Sequence, residues 1–343
     1  MQRFLSKTAI NSINQEHSDL QLSKLPNALL ENARKAASQQ VYRRSENTIK
    51  SYSSAWNNFT QFCQIHGFNS LPAIPEVVLA YLGQEMTRLH IGNFNGEPSA
   101  RQLSNSAISI RVAAIRHFHI EHGFNTPTNH PEIIKSLEGF RRNHYRQLMY
   151  DEKKPLLNNE LEKIINVIKS ESRQLIKHRD LALLTLLRAG GFRRSEIVKL
   201  TTDSLFFRGD ALVVTMRFTK TNQAGKSEIK ILPNDESFAP YHYVEDWLQV
   251  SGITQGPIFR SLATNGLSLK QNNKNEFPAI SAADVNRILK KYLKKAGLDE
   301  RQFGAHSARS GIVTQMGIDN VGIMKIQSRT GHKDLRMLAT YNK

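Results

Sequence analysis

From residue 46 to residue 144 apolar side chains recur at threes and fours, and that spacing restricts the first half of the chain to helices packed on helices. The sharpest case is Ile49, Tyr52, Trp56, Phe59 and Phe62. This aromatic stripe follows the start signal Ser45-Glu46-Asn47-Thr48, stops at Gly67, and reads as core. Leu29, Leu30, Ala33, Ala36 and Ala37 predict an earlier helix after Pro26, and Val77, Val78, Ala80, Tyr81 and Leu82 a later one beyond the Pro72–Pro75 loop. Ser104–Gly123 and Pro131–His144 add two more. Residues 91–100 carry so many turn formers that a long exposed loop is expected. The expectation is an all-α domain over 26–146, behind a flexible arm at 1–25 that is rich in Ser, Asn and Gln.

After residue 146 the pattern changes. Tyr150-Asp151-Glu152-Lys153-Lys154-Pro155 is polar and closed by a proline, which marks a linker over 147–157 and a second domain over 158–343. Asn159-Glu160-Leu161-Glu162 offers an N-cap with a glutamate three residues on, ahead of Ile164, Ile165 and Ile168. A strongly apolar helix, Leu181 to Leu187, runs into Gly190-Gly191, and Ser195 is placed to cap the next helix. Leu212–Phe218 and Ser227–Leu232 are the clearest β signal and predict a hairpin whose loop holds Lys220 and Lys226. The chain turns helical again from Val244, with a loop at 263–278. The fold class expected is mainly α with a small β-sheet.

Charge sets the partner. Lys plus Arg number 47 against 30 Asp plus Glu, a net charge of +17. Such an excess favours a polyanion through counterion release. No stretch approaches the roughly 20 apolar residues that span a bilayer, so no membrane partner is expected. Cys63 is the single cysteine, which excludes an intrachain disulfide and a cysteine zinc site and suits a reducing compartment. Met1-Gln2-Arg3-Phe4-Leu5-Ser6-Lys7 leads into no apolar signal region, and a cytoplasmic, nucleoid-associated protein is expected.

Chemistry concentrates near the C-terminus. His306 and Arg309 stand three apart, one helical face. An arginine fork holds two phosphate oxygens at once, and an imidazole beside it can act as acid or base near neutrality. Alone, the pair more often marks an exposed histidine beside a surface salt-bridging arginine, and a C-terminal tyrosine alone is more often a packing residue than a nucleophile. Their conjunction with Arg193 after a glycine pair, Lys220 on a hairpin and Gly331-His332 nine residues before Tyr341 is far more specific.

Gly191-Phe192-Arg193-Arg194-Ser195-Glu196-Ile197, Thr219-Lys220-Thr221, His306-Ser307-Ala308-Arg309-Ser310-Gly311, Gly331-His332 and Tyr341 together resemble the signature of the tyrosine site-specific recombinases, the class of Cre and the phage integrases. The resemblance runs from about residue 26 to the end. It implies a helical core-binding domain and a mixed α/β catalytic domain closing as a C-shaped clamp on a DNA recombination site, with a dimer per site and a tetramer per synapse. It also implies strand cleavage and rejoining through a 3′-phosphotyrosyl link on Tyr341, without metal, ATP or other cofactor. In that scheme Arg193 and Arg309 clamp the phosphate, His332 adds a hydrogen bond, Lys220 is the general acid, His306 the general base, and Glu196 orients an arginine or histidine. Phosphate contacts are expected from Arg111, Arg116, Arg141 and Arg142 in the first domain and Lys199, Lys226, Arg287 and Lys290 in the second.

Several positions depart from the family pattern. Gly190 and Phe192 stand where Thr and Leu are commoner, Met337 where Thr is common, and Ser310 where many integrases have a second histidine. Asn342 and Lys343 follow Tyr341 where many relatives continue into a helix that couples protomers, so coupling through other surfaces, such as 91–100, or a longer chain is expected. Two other functions share these residues: a type IB topoisomerase or telomere resolvase, which would cleave without exchanging partners, and a non-enzymatic DNA-binding protein, which would have lost a catalytic residue.

Overall fold

The computed structural model describes residues 45–94, 97–147, 153–216 and 227–331. The arm and the helix expected after Pro26 lie outside these residues. The chain divides into two compact units, Met1–Tyr150 and Asp151–Lys343.

Four α-helices form the main body of the described first unit: α1 (Glu46–His66), α2 (Pro75–Thr87), α3 (Asn105–Glu121) and α4 (Pro131–Gln147). Their starts follow from local chemistry. The Ser45 and Ser104 hydroxyls accept from the amides of Thr48 and Ala107 at 3.3 and 3.2 Å, and Pro75 and Pro131 open helices at a position where a missing N–H costs nothing. Gly67 ends α1 in the left-handed region at φ 73°. Phe59, Val78, Tyr81, Leu82, Ile108, Ile115 and Ile133 form the core, and Trp56 stacks on Phe118 with ring centroids 4.6 Å apart. Buried His119 ties two segments together by accepting from the Ala73 amide at 2.9 Å, with its other ring nitrogen 2.8 Å from the Ile115 carbonyl.

The segment 91–100 is not a loop. Strands β1 (His90–Phe94) and β2 (Glu97–Arg101) pair antiparallel, with Phe94 opposite Glu97. The sequence between them, Asn95-Gly96, is the dipeptide that two-residue hairpins favour, and it outweighs the turn formers around it.

The second unit packs α5 (Asn158–Lys169), α6 (Gln174–Ala189), α8 (Tyr241–Ser251) and α9 (Ala282–Lys295) around one large core with a three-stranded antiparallel sheet, in the order β3 (Leu205–Arg208), β4 (Ala211–Met216) and β5 (Glu228–Pro233). The short helix α7 (Arg194–Ile197) follows α6, and α10 (Ala305–Ile318) and α11 (Ile323–Thr330) come last. The N-cap of α5 is Leu157, two residues before the expected Asn159, because the Glu160 carboxylate accepts from the Leu157 amide at 3.1 Å. Strands β4 (Ala211–Met216) and β5 (Glu228–Pro233) fall where the alternation puts them. Strand β3 (Leu205–Arg208) has no counterpart in the sequence pattern; at four residues it is too short for alternation to register.

The unusual pair Gly190 and Phe192 has a steric explanation. A Cβ on Gly190 would meet the Phe192 ring at 2.1 Å, so the larger ring at 192 occupies the space of a side chain at 190. Gly190→Ala is therefore expected to destabilise the wild type by about 1–3 kcal/mol and to cost markedly less beside Phe192→Leu. Urea unfolding of the two single variants and the double variant measures that coupling, and strict additivity would contradict the account.

Candidate active site

The turn between α6 and α7 supplies the first part of the site. Gly191 adopts φ 54°, and a Cβ there would press on Ile312 and Thr330 at 3.1 Å, so glycine is required both by conformation and by space. The turn delivers Arg193, whose guanidinium donates to the Glu196 carboxylate at 2.5 Å while its backbone amide donates to the other carboxylate oxygen at 2.8 Å. That double hold corrects the expectation for Ser195, which lies inside α7. The cap position belongs to Arg193, and the carboxylate that satisfies it comes from Glu196.

Helix α10 supplies the second part. Its first amides are met by side chains: Gly304 N–H donates to the Ser307 hydroxyl at 3.0 Å and Ala305 N–H to the Asn286 side chain at 2.9 Å. Arg309 is buried, at 1% exposure, and donates to the Gly191 carbonyl at 2.6 Å. One hydrogen bond thus fastens two motifs that lie 118 residues apart to each other. His306, one turn earlier, keeps an exposed position. Partial desolvation, and after it the charges of Arg309 and Arg193, push its pKa below the ordinary histidine range.

The third part is the floor beneath them, and the sequence did not disclose it. Lys230 on β5 is buried, and its ammonium donates to the Arg329 carbonyl at 2.5 Å. Arg329, also buried, pairs with Glu236 through both guanidinium nitrogens and donates to the Ala189 carbonyl at 3.3 Å. These contacts hold the last turn of α11, which Gly331 closes at φ 67°.

The structure therefore brings Arg193, Glu196, His306 and Arg309 together. Lys220, Lys226, His332 and Tyr341 lie outside the described residues. Among the expected phosphate contacts, Arg116, Arg141, Arg142, Lys199 and Arg287 are exposed, Arg287 paired with Asp284, and Lys290 is half-buried. Arg111 differs. Its side chain donates to the nearly buried Glu85 carboxylate at 2.6 Å, an ion pair within the first unit in place of an open helix face. The helical period put it opposite the isoleucines but could not show that Glu85 faces it across α2.

The arrangement is suited to an anion that gains charge. Two guanidinium groups are fixed in advance, one by a carboxylate and one by a carbonyl, and beside them stands an imidazole whose pKa is pushed down by desolvation and by those two charges. Its depressed pKa gives a pH prediction. If His306 accepts a proton, the acidic fall in cleavage rate should lie below pH 6.5, the ordinary histidine value, because the neutral form persists to lower pH. A rate–pH profile tests this, and His306→Gln should remove that limb.

The chain is similar to several known proteins. The phage integrase family profile matches residues 154–343. An integrase/recombinase xerD homolog of Selenomonas ruminantium is 30% identical over 327 residues, covering 92% of this chain and 88% of its own length. A crystal structure of the XerH site-specific recombinase, in a post-cleavage complex with its palindromic difH substrate, superposes with a TM-score of 0.56 at 16% identity, covering 97% of this chain and 87% of that one. A lambda integrase dimer on a core site gives 0.52 at 15% identity, covering 93% and 95%.

Proposed function

Since this chain belongs to the phage integrase family and is a tyrosine site-specific recombinase, we propose that its reaction is carried by Tyr341, Arg193, Lys220, His306, Arg309 and His332, with Glu196 orienting Arg193. The observation that carries this assignment is the hydrogen bond from Arg309 to the Gly191 carbonyl, which sets the two arginines of the separate motifs beside each other and beside His306.

In the proposed reaction the Tyr341 phenol oxygen attacks the scissile phosphorus and its proton passes to His306. A phosphotyrosyl bond forms at the 3′ end, and the phosphorus–O5′ bond breaks, the leaving oxygen taking a proton from Lys220. Arg193 and Arg309 hold the non-bridging oxygens throughout and balance the charge of the pentavalent state. One phosphodiester is exchanged for another, so rejoining needs no nucleotide. The guanidinium pair supplies the positive charge that a divalent cation provides in other phosphoryl-transfer sites.

The partner proposed is double-stranded DNA at a recombination site, contacted by both units, with Arg116, Arg141, Arg142, Lys199, Lys226, Arg287 and Lys290 on its phosphates. A dimer per site and a tetramer per synapse, acting in the cytoplasm at the nucleoid, complete the reading. No described helix is long and apolar enough to cross a membrane.

The test is covalent capture. Incubated with a nicked suicide duplex carrying the recombination site, the protein should form an SDS-resistant adduct, in EDTA as well as without it. Protease digestion and mass spectrometry should place the nucleotide on the peptide with Tyr341. Tight binding with no adduct would instead favour a DNA-binding protein, and an adduct with relaxation but no strand exchange would favour a topoisomerase.

A further inference from the structure

The sequence Glu228-Ile229-Lys230-Ile231-Leu232 contains an inversion. By alternation its isoleucines would face the core and its lysine would face solvent. The pairing of β4 with β5 does the reverse: Ile229 is 58% and Ile231 53% exposed, while Lys230 is 1% exposed. Leu232, on the same face as Lys230, is buried in the core, so the strand leaves two isoleucines in water while it sets one amine and one leucine inside. Such local conflicts concentrate where a site needs the polar group.

The surroundings of that amine are specific. It donates to the Arg329 carbonyl at 2.5 Å, lies 3.4 Å from the Glu228 carboxylate and stands 5.3 Å from the centre of the Phe192 ring. Its other charged neighbours are Arg309 of α10 and Glu196 of α7, both of which act on it electrostatically. Glu228 has a second role, because a Cβ on Gly331 would meet its carboxylate at 2.1 Å. The Lys230–Glu228 pair thus underlies the last carbonyls of α11 and the glycine from which the chain continues to His332 and Tyr341. It also lies behind the arginine turn.

We propose that Lys230 is a positioning residue of the recombinase site: its buried ammonium caps the C-terminal end of α11 and, together with Glu228, holds in place Gly331, the residue that precedes His332 in the sequence. This inference rests on the functional reading above. A cation at a helix C-terminus is favourably placed against the orphan carbonyls there, and a buried one holds a single geometry. The Lys230 ammonium is committed to the Arg329 carbonyl and the Glu228 carboxylate, so proton donation to the leaving group is left to Lys220. Burial lowers its pKa to about 8, Glu228 and Glu196 opposing that shift and Arg309 reinforcing it. The charged form that pairs with Glu228 therefore predominates below pH 8 and is lost above it.

The test compares adduct formation by wild type, Lys230→Met and Glu228→Gln on the suicide duplex, across pH 6 to 10, with duplex binding measured in parallel. Lys230→Met should bind DNA as wild type does and cleave roughly 10- to 100-fold more slowly, the scale expected for a slight misplacement of reacting groups. A 5′-bridging phosphorothiolate, whose thiolate leaves without a proton, should rescue Lys220→Ala but not Lys230→Met. In Glu228→Gln the amine loses the partner that keeps it charged, so the alkaline fall in rate should move to lower pH. That last readout decides the matter even if Lys230→Met fails to fold. Wild-type cleavage with an unmoved alkaline limb in Glu228→Gln, or phosphorothiolate rescue of Lys230→Met, would overturn the proposal. Absence of any wild-type adduct would overturn the functional reading instead.

Discussion

Replacing Arg309 by lysine should leave duplex binding near the wild-type level and slow adduct formation by roughly 10²–10³-fold, the cost of removing one fixed donor from a developing anion. The Arg309 side chain is buried, so it adds little to the exposed charge that drives non-specific DNA binding. One of its guanidinium nitrogens is committed to the Gly191 carbonyl at 2.6 Å, which fixes the plane of the fork. A lysine ammonium is a point charge on a flexible stem. It cannot hold that carbonyl and two phosphate oxygens in one plane, and burial would lower its pKa as burial lowers that of Lys230. Single-turnover cleavage with salt-matched binding separates the two effects. Equal loss of binding and cleavage would show that Arg309 acts as general basic charge.

Gly311→Ala is expected to unfold the second unit more readily than any surface substitution, by about 3 kcal/mol or more. A Cβ at this position would lie 2.0 Å from the Leu156 carbonyl oxygen and within 2.8 Å of two further Leu156 backbone atoms, and backbone cannot swing aside as a side-chain tip can. Residue 156 is itself pinned on both sides: its amide donates to the Ser307 carbonyl at 2.9 Å and its carbonyl accepts from Arg188 at 2.8 Å. Relief of the clash would have to break one of these contacts or shift α10, and Arg309 sits two residues before the glycine. A urea midpoint shift together with weakened cleavage is the expected result, and an unchanged midpoint would show that the segment at 156 yields freely.

Much of this was legible in sequence because the signals were local. Ser45 and Ser104 announce helix starts through their own hydroxyls, and the three-residue spacing of His306 and Arg309 is a property of the helix that carries them. The glycine pair likewise declared a turn. What stayed hidden depended on partners distant in sequence. Nothing near Arg111 indicates Glu85, nothing near Arg329 indicates Glu236, and the inward face of Lys230 is set by register against β4. Asn95-Gly96 was a local signal that the density of other turn formers masked. Ser195 was passed over as a cap because the Glu196 carboxylate reaches both the amide and the guanidinium of Arg193.

That last contact bears on how tightly an enzyme of this kind can hold a phosphate it must later release. A free arginine side chain forfeits up to about 2 kcal/mol of rotamer entropy when a ligand immobilises it. Arg193 is already tethered at both ends to Glu196, so that loss was incurred when the chain folded and falls on no individual encounter with DNA. In the proposed reaction the same carboxylate would compete with the phosphate for the guanidinium, moderating ground-state affinity while the full charge of the transition state tips the balance. Glu196 would then act as a counterweight that keeps the arginine ready and the product from sticking.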